Sequence, residues 1–183
     1  MLAPMRTGPG VTTPLTFVPV FPIYPPETAW MREPKTSIPG LVLSERGKSR
    51  VAYLPADLDR RFDRDNLPDH GDLLRNVILW AAGGRIPLTV AGSGLIDCHL
   101  YEQPGRLVLH LVNLISAGTW RAPIDEYIAV GPLEVKVRLP RHVNGRSAKF
   151  LVSRATPKVA VSDGWATFEV RSVLDHEVVV IGS

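Results

Sequence analysis

The sequence predicts an α+β fold, in which a partial α/β segment with few strands and one main helix is followed by an antiparallel β-sandwich. Three observations carry this reading. Helical spacing of apolar residues is clear over residues 67–82, where Leu73, Leu74, Val77, Ile78 and Ala81 share one face. After Arg85 the apolar period changes from about 3.6 residues to about 2 and stays there to the end of the chain. Before residue 40 the chain carries Pro4, Pro9, Pro14, Pro19, Pro22, Pro25, Pro26, Pro34 and Pro39, each of which removes a backbone donor and keeps regular structure brief.

The elements follow in order. Residues 1–30 read as a Pro-rich extended segment, with one β-branched alternating stretch at 15–20 suited to a short strand. Residues 31–85 form the α/β part. Leu41, Val42 and Leu43 run through a polar turn containing Gly47 into Val51, Ala52 and Tyr53, the pattern of a hairpin. Pro68 suits a first helical turn, Asp69 and Asp72 complement the positive end of the helix dipole, and Gly83 and Gly84 stop the helix. Residues 86–183 form the sandwich, with strands over 95–102, 106–115, 133–139, 148–153, 158–161, 165–170 and 177–181. Val135, Val137 and Leu139 alternate with Glu134, Lys136 and Arg138, as in a sheet with one wet face. Asn144-Gly145 and Asp163-Gly164 favour tight hairpins because these residues accept positive φ.

Composition excludes several classes. The chain has 183 residues, of which 45% are hydrophobic and 21% charged, enough to build a core rather than a disordered segment. No apolar run approaches the roughly 20 residues of a membrane helix, and no signal-peptide core is present, so a soluble, cytoplasmic protein is expected. The single Cys98 excludes an internal disulfide framework and reads as a small apolar core residue. Net charge is +3, but Arg and Lys are scattered and form no run able to track a phosphate backbone, so nucleic acid is not an expected partner.

Three constellations could carry chemistry. Asp57, Asp59, Asp63 and Asp65 crowd a short stretch ahead of the helix, and clustered carboxylates are what a hard cation such as Ca²⁺ requires. Arg60, Arg61 and Arg64 are interleaved with them, so ion pairs and helix-end roles explain the same residues without a metal. Asp69-His70 at the helix start sets a carboxylate beside an imidazole, the minimum for general acid–base work, although adjacent residues rarely aim at one another. The long connection over 116–132 offers Trp120, Arg121, Asp125 and Glu126, an aromatic beside charged groups that suits a sugar. Asp125 and Glu126 are poor as a glycosidase pair, because neighbours on an extended chain point apart. The simpler reading, and the favoured one for this loop, is that Trp120 and Tyr127 seal the end of the sandwich or meet the preceding domain. His99 and His110 lie in strand patterns, His142 in a turn and His176 beside Asp175, with no pair at the close spacing of a zinc site.

A wider resemblance rests on Arg32-Glu33-Pro34-Lys35-Thr36-Ser37-Ile38-Pro39-Gly40, on the stretch from Gly47 to Arg60 that includes Tyr53-Leu54-Pro55-Ala56-Asp57, on Pro68-Asp69-His70-Gly71 and on Leu74-Arg75-Asn76. These resemble the end of the flavodoxin-like domain that follows the catalytic barrel in a family of glycoside hydrolases, a domain similar to the β-galactosidase trimerisation domain. Leu107 to Asn113, Trp120-Arg121-Ala122-Pro123, Gly131-Pro132 and Val135 to Pro140 resemble the β-sandwich that ends the same chains. The resemblance implies that a parallel sheet is represented here by one or two strands, a hairpin and its last helix. It also implies that the barrel bearing the glycosidase carboxylates is missing.

Two functional readings follow. The preferred one is a non-catalytic C-terminal accessory module of a glycoside hydrolase, self-associating through an exposed sheet edge and touching carbohydrate through the Trp120 loop. The alternative is a small hydrolase of an ester, lactone or glycosidic bond, in which Ca²⁺ on Asp57, Asp59, Asp63 or Asp65 polarises the substrate and His70 or Asp69 activates water.

Overall fold

Strands β1 (Val11–Thr16), β2 (Pro39–Arg46) and β3 (Ser49–Tyr53) form one sheet in the order β1-β2-β3. With helices α1 (Leu58–Asp65) and α2 (Pro68–Ala81) they lie in the first of two units into which the chain divides, Met1–Ile86 and Pro87–Ser183. The structure is a computed structural model and describes residues 5–115 and 126–182.

In the first unit both strand pairs are antiparallel, where the family resemblance had implied a parallel sheet. The reason is local. Arg46 pairs with Ser49 across Gly47 and Lys48, and a two-residue turn can join only antiparallel strands. Strand β1 lies earlier than the stretch at 15–20 and contains Pro14. It is an edge strand, and its register with β2 shifts between Thr12 and Leu15, so the proline sits where the ladder is already interrupted. Helix α2 spans the expected residues, begins on Pro68 and ends before Gly83 at φ +63°. Helix α1 is an addition to the sequence reading. A Cβ on Gly71 would meet the Phe62 ring at 2.7 Å, so the glycine lets α1 and α2 approach closely. Neither helix has a buried residue, and Leu41 and Val42 are the buried hydrophobics of this unit among the described residues.

The second unit is a sandwich of two four-stranded antiparallel sheets. One runs β4 (Leu88–Ala91), β7 (Leu133–Arg138), β10 (Trp165–Val170), β9 (Ala160–Ser162). The other runs β5 (Ile96–Gln103), β6 (Arg106–Asn113), β11 (His176–Ile181), β8 (Ala148–Phe150). Alternation decides what is inside. In β7, Leu133, Val135 and Val137 are buried while Glu134, Lys136 and Arg138 are exposed, and Leu107, Leu109 and Leu111 of β6 meet them in the core with Phe150, Phe168, Val179 and Ile181. Each such side chain contributes roughly 1.5–3 kcal/mol by burial, so this unit has a core of its own.

Turn chemistry separates two glycine pairs. Asp163 and Gly164 have φ of +53° and +77° and close the β9–β10 hairpin as expected. Asn144-Gly145 instead lies on the connection from β7 to β8, which carries the chain from one sheet to the other. No helix among the described residues is long and apolar enough to cross a membrane.

Candidate ligand cleft on the sandwich

The acidic stretch ahead of α2 folds as helix α1, and that decides the fate of its carboxylates. Asp59 and Asp63 lie one turn apart, while Asp57 precedes the helix and Asp65 ends it on another side. Asp65 is held by Arg64, with Nε–Oδ1 at 2.6 Å and Nη2–Oδ2 at 2.9 Å, and by Arg61 Nη1 at 3.4 Å. Among the described residues no group of three or more His, Cys, Asp or Glu is arranged to hold a metal ion. Asp69 and His70 occupy the first turn of α2. The Asp69 side chain is exposed, whereas His70 Nδ1 is buried with no hydrogen-bond partner, so no carboxylate orients that ring through this nitrogen. Trp120, Arg121 and Asp125 lie outside the described residues, and Glu126 is exposed.

The structure assembles a different set of groups on the sandwich. Pairing of β5 with β6 and of β6 with β11 sets His99, His110 and Val178 in one row across the sheet, and Asp97, Val112 and His176 in the next. Since Leu109, Leu111 and Val179 point into the core, these residues form the outer face. At its end, His110, Val112, Leu114, Tyr127, Asp175 and His176 line a cleft of about 280 Å³.

Asn113 holds the cleft together. It is 1% exposed; its Nδ2 donates to the carbonyls of Ile128 at 2.7 Å and Leu174 at 2.7 Å, and Oδ1 accepts from Ile115 N at 2.9 Å. One side chain thus ties the segment bearing Tyr127 and the turn bearing Asp175 to the end of β6. Asp175 accepts from the backbone N–H of His176 at 2.7 Å and meets its Nδ1 at 3.1 Å. The backbone N–H first and the imidazole second hold the Asp175 carboxyl below its ordinary range. When Nδ1 carries the proton, Nε2 of His176 is an acceptor.

Glu177, also at the cleft, is consumed structurally. It is 2% exposed and accepts from the amides of Val152 at 2.9 Å, Ser153 at 3.0 Å and Val178 at 2.9 Å. Burial pushes its carboxyl up, but the Ser153 side chain and these amides together hold it below the ordinary value. Capture of Val152 and Ser153 also explains why the strand expected over 148–153 stops at Phe150. A general acid needs a raised carboxyl pKa, and both cleft carboxylates are lowered. The cleft therefore brings together an aromatic ring, two imidazoles and the Asp175 carboxylate, with Glu177 spent on backbone amides.

Sequence reasoning passed over His110 and His176 because cross-strand register cannot be seen in a single strand. Glu177 left a signal: it falls in the inward phase of Val179 and Ile181, where a charge requires buried partners. Cys98 lies in an apolar cavity of about 310 Å³ with Leu88, Val90, Ile96 and Leu133. Burial first, and then the Asp97 charge, push its thiol up and so disfavour the thiolate.

No family model matches the sequence, and no curated protein matches it. Among solved structures the chain is similar to Alpha-L-fucosidase isoenzyme 2 from Paenibacillus thiaminolyticus, with a TM-score of 0.64 and 18% sequence identity. The match covers 85% of this chain and 23% of the fucosidase chain, so the shared fold accounts for less than a quarter of that enzyme.

Proposed function

We propose that this chain is a non-catalytic accessory module related to the C-terminal part of glycoside hydrolases, and that its cleft at Tyr127, His110, Asp175 and His176 contacts carbohydrate. The observation that carries the proposal is the fold shared with a part of a fucosidase. The cleft's chemistry supports it: Tyr127 is 44% exposed beside the hydrogen-bonding groups of His110, Asp175 and His176. An aromatic face with convergent hydrogen-bonding groups suits the apolar face and hydroxyls of a sugar ring.

To test this, the purified protein is incubated with aryl α-L-fucosides, short esters and acyl lactones and titrated with L-fucose and fucosylated oligosaccharides; the expected result is turnover no faster than buffer, binding at the cleft, and weaker binding by Tyr127→Ala. Turnover that His70→Ala abolishes in a folded protein would replace this reading with the hydrolase one.

Self-association belongs to the same proposal. The first unit leaves Val20 97% exposed and Ile78 of α2 58% exposed, and edge strand β3 presents Val51 and Tyr53. Such edges and apolar faces favour a second copy as cover. Light scattering at tens of micromolar is expected to give a multiple of the monomer mass; the monomer mass alone contradicts this part.

A further inference from the structure

We infer that the carbohydrate site extends from the cleft along the outer face of the β5-β6-β11-β8 sheet, so that its ligand is a linear, uncharged oligosaccharide rather than a single sugar. The inference rests on the carbohydrate reading of the cleft and adds its length, its direction and its second contact, Tyr101.

His110 is the link. Its ring lines the cleft, and on its other side it meets Tyr101 edge to face, with centroids 5.6 Å apart at 85°. Tyr101 stands opposite Val108, and His176 stands opposite Val112. Four residues of strand separate those two rows, about 14 Å at roughly 3.4 Å per residue. No single pyranose ring spans that distance, whereas a short linear chain does. Tyr101 is 55% exposed and Tyr127 44%, so the His110 ring that lines the cleft with Tyr127 has a second exposed aromatic ring against it, farther along the face.

Charge on this face points to a neutral occupant. Asp97 is engaged by His99 Nε2 at 3.0 Å and Asp175 by His176 Nδ1 at 3.1 Å, and Lys149 lies in the row of Tyr101, Val108 and Val180. Charges of both signs are dispersed across the four strands, an arrangement that selects neither a polyanion nor a polycation. His110 and Val178 form the row between those of Tyr101 and His176, and with Val108 and Val180 in the row of Tyr101 and Val112 in the row of His176 they give a half-buried floor that matches the alternation of apolar faces and hydroxyls along a saccharide.

Calorimetric titration of the full chain with L-fucose, the trisaccharide fucosyllactose and the pentasaccharide lacto-N-fucopentaose tests this. The trisaccharide is expected to bind about tenfold more tightly than fucose, as a second aromatic contact supplies. Tyr101→Ala and Tyr101→Leu each remove that gain and leave fucose affinity unchanged, whereas Tyr127→Ala weakens all three ligands. Equal affinities for fucose and the trisaccharide, or a gain that survives both Tyr101 variants, overturn the extended site while leaving the cleft reading intact. Binding of none of the three overturns both, and a Tyr101→Ala protein whose mass by light scattering falls while sugar binding is unmoved assigns the face to a second copy instead.

Discussion

Replacing Glu177 with Gln is the sharpest perturbation of the region that carries the cleft. The side chain keeps its shape, so packing of β11 is preserved and only charge and hydrogen bonding change. In the parent, Oε1 accepts from the amides of Val152 and Val178, and Oε2 from that of Ser153. A glutamine can keep its oxygen toward Val152 and Val178, but then sets an NH₂ against the Ser153 N–H, donor facing donor. Two bonds lose their charge assistance, at roughly 1 kcal/mol each, and one part-buried amide loses its acceptor, at roughly 1–3 kcal/mol. The expected loss is about 3–5 kcal/mol, a fall in Tm on the order of 10 °C or more, read by circular dichroism at pH 7. The pH profile is an independent check. The folded Glu177 carboxyl lies below its ordinary value, so the unfolded chain binds the proton more readily. Its stabilisation is therefore fully present above the ordinary carboxylate range, near pH 4.5, and is lost as pH falls through the folded value. The gap between parent and Glu177→Gln should be constant from pH 7 to about pH 5 and narrow below that. A Tm change under about 3 °C, or parallel profiles down to acid pH, would refute the role assigned to this carboxylate.

Other expectations concern the same unit. Asn113→Ala removes the bonds to Ile128, Leu174 and Ile115, and is expected to cost about 3 kcal/mol and to raise amide exchange over 126–128 and 173–175; unchanged exchange there would contradict its anchoring role. Gly131→Ala adds a Cβ that collides with the Arg171 carbonyl at a φ of +140°, so a loss of about 3 kcal/mol or more is expected by denaturant titration, and a neutral result would contradict that close approach. Residues 87–183 expressed alone should unfold cooperatively with dispersed amide resonances, because the cluster from Leu107 to Ile181 is complete within them; a molten product would deny this unit its own core.

The strands over 96–103, 106–113, 133–138 and 165–170 were legible because a half-buried strand shows its two faces as alternation, and helix α2 because Pro68 and Gly83 mark both its ends. Strand β4 was not, since Leu88–Ala91 has four residues and too few alternations to register. Helix α1 was hidden for another reason. Its interleaved Asp and Arg suggest a charged loop, and Phe62 gives a weak apolar signal whose meaning appears only when Gly71 is seen beneath it. The cleft was least legible. Asn113 joins carbonyls 15 and 61 residues away, and His110 and His176 come together only through the register of β6 with β11. Long-range pairing, not local pattern, makes that site. The acidic stretch illustrates the converse: nearness in sequence suggested a cluster, and helical geometry spread it apart.

Amide chemical-shift mapping during titration with fucosyllactose tests the central claim most directly. The account has shifts confined to Tyr101, His110, Tyr127, Asp175 and His176 and their neighbours, saturating in proportion to bound sugar, with the trisaccharide recovered intact. Shifts centred instead on the first turn of α2 at Asp69 and His70, accompanied by cleavage of the sugar, would contradict it.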